Sequence, residues 1–505
     1  MGKEKFLLGI DIGSSQSKAT LTDLHGTIIA CTVVAHETVE LAPGFYEHDP
    51  EQVWISDVKR LIHTLTRKID PAQIAAIGLS AIGPCVLPID EHGSPLYNAI
   101  LYGIDTRAYR EIDQLNRAFG EDFFIERCGN SLSTQAAGPK IVWLRENKPE
   151  VFQKATYFLT ATSYLVYRLT GSVVMDYYTA CAGYTPLFNY QDMCWDEAMC
   201  RYIGCEGRLP RLCWTAECAG KITPQAAAEF GLVAGTPVCA GTCDAAAEAV
   251  SVGVIHPGQT MLMLGSTAFM ISVMDKPAMD QRLWAAPYLF PGSYCMLGGM
   301  GSAGSLTKWF LQELSVETQH EASVAGINPY ALLAQKAANI PPGSDRLLAL
   351  PYFCGERTPL NDPKARGVFF GLTLHHTQAH LYRALLESVG FGVRDNLEAM
   401  AQNGCETRDF FTAGGGAQNA LWLQIISDIT GSRQTINQVT LGASYGDAFL
   451  AGLSCGLIHD CGAIQQWTKE KTQIIPNQNN QRQYDALYLS FKTLYQVLYH
   501  LMQNF

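Results

Sequence analysis

The chain has 505 residues, of which 48% are hydrophobic and 16% charged, and its formal net charge is −11. This composition excludes a disordered chain, and the length predicts two large domains. The acidic balance, without a long basic run, argues against a nucleic-acid partner, whose surface would need clustered Lys and Arg.

The apolar segments argue against a membrane partner. The N-terminus lacks the apolar helix and cleavage site of a signal peptide, and the most apolar stretch, 261–274, is too short to span a bilayer. The 16 cysteines include no CxxC pair, and five of them between 194 and 218 do not have the usual zinc spacing. We therefore expect a cytoplasmic, soluble protein with reduced thiols.

The first elements form a run of strands. The pattern predicts a strand over 6–12 that carries Asp11, a turn at Gly13-Ser14-Ser15, and two further strands over 18–22 and 27–34. A Rossmann or P-loop unit would need a helix directly after the glycine, so both are disfavoured.

A helix follows only after Asp49, with Pro50 at its first position and Gln52 completing a capping box. The next predicted strands cover 74–82 and 85–90. The order of strand, strand, strand, helix and strand is that of a ribonuclease-H-like unit.

The second half repeats this pattern. A strand–turn–strand hairpin over 261–274 carries Gly265-Ser266-Thr267 at its tip, and a strand over 293–299, a helix from 304 and a long helix over 377–402 follow. Two such tips facing one cleft could hold a polyphosphate through backbone N–H groups. Either hairpin alone could be an ordinary β-turn.

Three later segments resemble the FGGY carbohydrate kinases. They are "GTCDAAAEAVSVG" (241–253), "GVFFGLTLHHTQAHLYRALLESVGF" (367–391) and "AGGGAQNALWLQIISDITG" (413–431), and the similarity runs in order from about 6 to 455. The resemblance implies an α/β chain of two ribonuclease-H-like domains in an actin/hexokinase-type ATPase fold with a central cleft. The implied domains are 1–250 for sugar binding and the catalytic base, 251–455 for nucleotide binding, and 456–505 as an extension whose helix packs on the core.

The resemblance also implies ATP and Mg²⁺ as cofactors and assigns roles to single residues. Asp244 matches the general base, although it could equally be a helix N-cap. Asp11 matches the Mg²⁺ position, where the resemblance implies contact through water, and its alternative role is to start a turn. Lys18 matches a phosphate contact, or is an edge-strand lysine. The other implied nucleotide-binding residues are Gly13, Ser14, Ser15, Gly265, Ser266, Thr267, Gly304, Gly414, Gly415, Gly416, Ala417 and Asn419.

The substrate-binding part departs from the family pattern. Where xylulose kinases typically show Gly-Gln-Met-His-Gly, residues 81–85 read Ala-Ile-Gly-Pro-Cys, so that Gly83 and Pro84 replace the Met-His pair. Asp105 either binds sugar hydroxyls or pairs with Arg107. The chain is therefore similar to xylulose kinases with an altered substrate motif, and Gly83, Pro84, Asp105, Arg107 and Asp244 are the expected substrate contacts.

The predicted function is ATP-dependent phosphorylation of a small sugar, ketose, polyol or sugar acid. The alternatives on the same fold are an actin- or chaperone-like ATPase and a non-catalytic sugar sensor. The intact Asp11 and Asp244 favour the kinase. A C-terminal helix over 484–502 has an apolar face that either packs on the core or forms a homodimer surface.

Overall fold

Two compact units make up the computed structural model, which describes residues 4–438, 441–468 and 471–504. The first three residues, which belong to the signal-peptide expectation, lie outside this part. Unit 1 consists of Met1–His256, Met274–Cys295 and Leu441–Lys469, and unit 2 of Pro257–Val273, Met296–Thr440 and Glu470–Phe505. The chain thus passes between the units several times, whereas the domains predicted from the sequence are contiguous ranges.

A seven-stranded sheet organises unit 1. Phe6–Ile12 is fully buried and pairs in parallel with Ile74–Ala81 and antiparallel with Gln16–Thr22, as the alternation of the sequence predicts. Thr242–Cys243 also pairs with Ile74–Ala81. Along the sheet the order is Cys218–Lys221, Pro237–Cys239, Ile74–Ala81, Phe6–Ile12, Gln16–Thr22 and Ile28–Ala35.

The helix Ala443–Ser454 packs unusually close to this sheet. A Cβ on Gly9 would lie 1.9 Å from the Ser444 carbonyl oxygen, and one on Gly78 would lie 1.9 Å from the Asp447 carbonyl oxygen. The absence of a side chain on both strands therefore allows the helix to lie directly on them. This packing places Asp447 beside the strand that carries Asp11.

The predicted helix after Asp49 begins where the capping residue indicates. Asp49 accepts hydrogen bonds from the N–H groups of Glu51 and Gln52, and the first turn, Pro50–Ile55, is a π-helix that continues as the α-helix Ser56–Thr66. The predicted strand over 85–90 is present as Leu87–Ile89 but pairs with Tyr157–Leu159 outside the main sheet.

Unit 2 contains most of the second sheet. The hairpin of Gln259–Leu264 and Ala268–Met274 confirms the predicted strand–turn–strand, and Asp409–Ala413 pairs in parallel with its first strand. Gln434–Asn437 and Lys471–Ile474 continue the sheet beyond Asp409–Ala413, and Tyr294–Met300 lies beside Ala268–Met274. The C-terminal helix Gln478–Gln503 buries Tyr484, Tyr488 and Phe491, while Leu489, Val497 and Leu501 are exposed, so a dimer remains a prediction.

The other described helices and strands complete both units. The helices are Pro71–Gln73, Tyr109–Phe119, Glu121–Cys128, Ala137–Asn147, Pro149–Lys154, Ala161–Thr170, Tyr177–Gly183, Glu197–Ile203, Pro224–Phe230, Asp244–Ser251, Gly304–Leu314, Val316–Ala325, Pro329–Ala338, Ser344–Arg346, Gln378–Gln402, Gly415–Gln418, Ala420–Thr430, Cys461–Ala463 and Ile464–Trp467. The strands are Val39–Ala42, Phe45–His48, Ala99–Ile100, Val174–Asp176, Phe188–Asn189, Cys194–Trp195, Arg211–Cys213, Trp284–Pro287, Leu348–Leu350 and Val368–Phe370.

All 16 cysteines lie within the described residues, and none of them forms a disulfide there. Among the described residues, every helix is too short or too polar to cross a bilayer.

Candidate active site

The tip of the first hairpin, in unit 1, has free backbone donors. The N–H of Gly13 donates to the Gln16 carbonyl at 3.0 Å and closes the turn. The N–H groups of Ser14 and Ser15 donate to no residue in the described part of the chain, and both residues are at least partly exposed. Successive free N–H groups form a concavity that binds anions, so this tip can receive phosphate oxygens.

Asp11 belongs to a buried group of carboxyls in unit 1. It lies opposite Lys18 on the paired strand. Its Oδ1 atom accepts a hydrogen bond from Ser80 Oγ at 3.2 Å, and the same hydroxyl lies 2.7 Å from Asp447 Oδ2. Asp447 is fully buried, and among the residues that the structure describes its Oδ1 atom has no hydrogen-bond partner.

Asp244 is the first residue of the helix Asp244–Ser251, directly after the strand Thr242–Cys243. Cys243 occupies the capping position and makes no side-chain cap, while Asp244 Oδ1 accepts the N–H of its neighbour Ala245 at 2.8 Å. Asp244 is therefore not the N-cap that the sequence left open, and its position at a helix N-terminus favours a negative charge.

Burial raises the pKa of every carboxyl in this group. The pKa of Asp11 rises to about 8 through burial and the nearby carboxyls of Asp244 and Glu248, and the pKa of Asp244 rises to about 6 through burial. The pKa of Glu248 rises to about 7, against the attraction of Lys18, and that of Asp447 rises well above its usual range through burial and Asp11. Burial and mutual repulsion thus oppose ionisation of these carboxyls together, and the amine of Lys18 counteracts this effect at Asp11 and Glu248.

The chemistry of these donors fits Mg²⁺. Carboxylate oxygens are the ligands that Mg²⁺ prefers, and the ion keeps part of its water shell. The unpartnered Oδ1 of Asp447 beside Asp11 is a buried acceptor that a hydrated cation would satisfy. The only described group of three His, Cys, Asp or Glu ligand atoms within 4.8 Å of one another lies elsewhere, at Asp345, His375 and His380.

In that second group, the tautomer of His380 does not suit a metal ligand. His380 Nδ1 accepts the N–H of Thr377 at 3.1 Å, so in the neutral ring Nε2 carries the proton and donates to Asp345 Oδ2 at 3.1 Å. A metal-bound histidine instead donates from its second ring nitrogen.

The tip of the second hairpin, in unit 2, is held by a helix N-terminus. The carbonyl of Gly265 accepts the N–H of Gly304 at 2.9 Å, and the carbonyl of Ser266 accepts the N–H groups of Ala303 and Ser305. A Cβ on Gly304 would lie only 2.5 Å from the Gly265 carbonyl oxygen, so this contact requires glycine.

A cavity of about 770 Å³ opens beside this tip, entirely within unit 2. Six predicted nucleotide residues line it, whereas Thr267, Gly414 and Ala417 are not among its lining residues. Tyr330, Tyr382 and Trp422 give it an aromatic wall, and its size is that of a ligand pocket. The predicted residues in its lining are Gly265, Ser266, Gly304, Gly415, Gly416 and Asn419, of which the last also caps the helix Ala420–Thr430.

The altered substrate motif forms a packed turn in unit 1. Pro84 lies against Gly183, where a Cβ would be 2.2 Å from the proline ring, and Gly83 faces the Tyr102 ring. The carbonyl of Cys85 accepts the Tyr184 hydroxyl at 3.1 Å. The turn thus has a fixed shape and offers no imidazole.

Asp105 pairs with Arg107, the second of the two readings of this segment. Arg107 donates to both Asp105 oxygens and to Glu47 Oε1, and all three side chains are almost fully buried. The guanidinium also lies over the rings of Phe45 and Trp143, at 4.4 and 4.9 Å. Contact between these residues and a sugar remains a prediction.

Sequence reasoning missed several residues that the fold brings to these sites. In unit 1 they are Ser80, Glu248 and Asp447, and in unit 2 the cavity residues Asn328 and Tyr330. A signal existed for Asp447, because a lone carboxylate in the apolar, small-residue segment "ASYGDAFLAG" is rarely buried without a function.

Comparison with known proteins agrees with this architecture. Models of the FGGY family of carbohydrate kinases match residues 6–251 with the N-terminal domain and residues 260–455 with the C-terminal domain. A xylulose kinase from Bacillus subtilis is 28% identical over 501 residues, which are 97% of this chain and 97% of that protein. A gluconokinase from the same organism is 27% identical over 500 residues, 98% of this chain and 96% of that protein.

A solved structure is similar over the whole chain. The crystal structure of xylulose kinase from Rhodospirillum rubrum has a TM-score of 0.91 at 28% identity and covers 99% of this chain and 100% of that chain. The fold is therefore the two-domain α/β fold of the actin/hexokinase-like ATPases.

The protein belongs to the FGGY family of carbohydrate kinases. It is an ATP-dependent phosphotransferase with an alcohol group of a carbohydrate as the acceptor, and the ATPase and sensor alternatives are not favoured.

Proposed function

We propose that this kinase transfers the γ-phosphoryl group of Mg-ATP to a hydroxyl of a small ketose or sugar acid, with Asp244 as the general base. The observation that carries this assignment is the position of Asp244 at a helix N-terminus, where it is half-buried and its carboxyl interacts with that of Asp11. Burial raises the pKa of Asp244 to about 6, which suits a base that works near neutral pH.

The reaction needs an acceptor oxygen freed of its proton and aligned with the γ-phosphorus. Asp244 accepts the proton of the sugar hydroxyl, and the hydroxyl oxygen forms the new bond to phosphorus as the bond to the β-phosphate oxygen of ADP breaks. The free N–H groups of Ser14 and Ser15 and the amine of Lys18 offset charge on the phosphate oxygens.

Asp11 is the residue that we propose to hold Mg²⁺, through water. When bound, the ion neutralises charge on the phosphates. The cluster of carboxyl side chains around Asp11 supports this assignment. It includes the Oδ1 atom of Asp447, which has no hydrogen-bond partner among the described residues. The cavity of unit 2 is the proposed site of the adenine and ribose, with Gly415 and Asn419 at its wall.

The relatives suggest the substrate class. Xylulose kinases phosphorylate a ketose and gluconokinases a sugar acid, and this chain is about equally similar to one of each. The rigid turn at Gly83 and Pro84 would select the sugar by shape. Because the reaction consumes ATP and the thiols are unpaired, we place the enzyme in the cytoplasm.

An ADP-release screen with xylulose, gluconate, other pentuloses and hexuloses, pentitols and tetritols tests this function. We expect ADP release to depend on one or a few of these sugars, with a phosphorylated product of matching mass. ATP hydrolysis that no sugar stimulates would contradict the proposal.

A further inference from the structure

The carbonyl groups of the first hairpin tip are all bound by one short segment of unit 1. The N–H of His36 donates to the Ser15 carbonyl at 3.0 Å, and His36 Nε2 lies 3.1 Å from the Gly13 carbonyl oxygen. Thr38 Oγ1 donates to the Ser14 carbonyl at 2.6 Å. With its three carbonyls held on one side, the tip keeps its remaining N–H groups free on the other.

The His36 ring is held at both nitrogens by acceptors. Nδ1 lies 2.8 Å from Asp57 Oδ2, which also accepts the Ser17 hydroxyl at 2.7 Å, and Nε2 faces the Gly13 carbonyl. The Ser17 hydroxyl also lies 3.4 Å from Nδ1, so the ring is fixed by partners at both nitrogens. The side chains of His36 and Asp57 are only 6% and 3% exposed, so little water competes with these contacts.

The hydrogen bond from Thr38 to the Ser14 carbonyl is the last in a chain of hydrogen bonds. Trp54 Nε1 donates to His48 Nδ1 at 3.1 Å, so the neutral His48 ring carries its proton on Nε2, which lies 3.0 Å from Thr38 Oγ1. The Thr38 hydroxyl proton is then free for the Ser14 carbonyl. Burial lowers the pKa of His48 to about 4, with the charge of His36 adding to the effect, so this ring stays neutral at pH 7.

We propose that His36 is a positioning residue for nucleotide binding, which orients the Gly13–Ser15 turn through the contact of its Nε2 atom with the Gly13 carbonyl. This inference rests on the proposed function, in which that turn binds the ATP phosphates. Thr38 has the same role at Ser14. No group of His36 needs to touch the nucleotide, because its effect passes through the turn.

The test compares His36→Leu, His36→Gln and Thr38→Val with the wild type. We measure the dissociation constant of Mg-ATP by calorimetry and KM and kcat with an accepted sugar. His36→Leu should weaken Mg-ATP binding about tenfold to a hundredfold, because the Gly13 carbonyl is left without its hydrogen bond, with an unchanged KM for the sugar. His36→Gln retains a donor for Gly13 and should recover most of the affinity.

His92→Leu, at an exposed surface histidine, is the matched control and should bind as the wild type does. If His36→Leu has a lowered melting temperature, the Mg-ATP affinity of Thr38→Val becomes the deciding measurement. Thr38 is partly exposed and valine has nearly the same shape, so this variant should stay folded. Unchanged Mg-ATP affinity in Thr38→Val and in folded His36→Leu would overturn the inference. An equal loss of sugar affinity in His36→Leu, or no recovery in His36→Gln, would also overturn it.

Different results would overturn the proposed function and the inference about His36. Wild-type protein that binds Mg-ATP but phosphorylates no sugar would overturn the proposed function, while the binding constants of the variants still test His36. Wild-type protein that binds no Mg-ATP would overturn both.

Discussion

Replacing Asp244 with asparagine removes the proposed base and leaves its surroundings intact. Asparagine has the same shape and retains an oxygen that can accept the N–H of Ala245, as Asp244 does at 2.8 Å. The helix Asp244–Ser251 should therefore form as before, and burial of a neutral amide costs less than burial of a carboxylate. We expect Asp244→Asn to be folded and to bind Mg-ATP.

The expected loss of kcat follows from the role of a positioned base, which contributes about 10²–10⁴ in rate. The pH dependence of kcat gives a second, independent expectation. With a pKa of about 6, Asp244 is mostly ionised at pH 8 and roughly a tenth ionised at pH 5. Wild-type kcat should thus fall about tenfold between these values, while the residual rate of Asp244→Asn should lack this step.

The assay is coupled ADP release at saturating ATP and sugar from pH 5 to pH 9, with product mass checked at each end. Asp49→Asn is the control, because Asp49 accepts two N–H groups at the start of another helix and the substitution keeps a good cap. Retention of more than a tenth of wild-type kcat by Asp244→Asn would refute the assignment.

Three further predictions concern other parts of the molecule. Asp105→Asn should lower the free energy of unfolding by about 3–5 kcal/mol, because it breaks the buried pair with Arg107, as chemical denaturation would show. Gly304→Ala forces a Cβ to within 2.5 Å of the Gly265 carbonyl oxygen, so calorimetry should show at least tenfold weaker ATP binding, and thermal unfolding a loss of about 1–3 kcal/mol. Burial raises the pKa of Glu356 from 4.5 to about 7, so the wild type loses stability as the pH rises through this interval. In denaturant titrations, Glu356→Gln should therefore be more stable than the wild type by up to about 3 kcal/mol at pH 8 but not at pH 4.

Each of these has a control and a contradicting result. Glu206→Gln breaks an exposed pair with Arg201 and should leave the free energy of unfolding almost unchanged. A change in sugar KM alone in Asp105→Asn would instead favour a sugar contact. Gly207→Ala controls for Gly304→Ala, because its φ of +72° strains an alanine although no described atom lies near the Cβ position, so it should lower stability without weakening ATP binding. Unchanged ATP affinity in Gly304→Ala would count against the role of Gly304. An equal stability difference at pH 4 and pH 8 would contradict the burial of Glu356.

The sequence predicted the elements because their signals are local. The alternation around Asp11, the Asp49 cap and the glycine after each hairpin strand lie within a few residues of what they determine, and the structure has these elements. The family motifs then indicated the fold and the kinase activity.

Long-range contacts were beyond such reasoning. Asp447 reaches Ser80 across 367 positions of the chain, and no local pattern indicates which strand its helix packs on. The sequence likewise left open whether Asp105 pairs with Arg107, because that depends on Glu47, Phe45 and Trp143 arriving from other elements.

The most direct test of the account is a crystal structure with a non-hydrolysable ATP analogue, Mg²⁺ and an accepted sugar. We expect the purine in the cavity lined by Gly415 and Asn419, phosphate oxygens on the N–H groups of Ser14 and Ser15, and the Asp244 carboxylate within about 3 Å of one sugar hydroxyl. A nucleotide bound elsewhere, or a sugar hydroxyl in line with the γ-phosphorus without contact to Asp244, would contradict it.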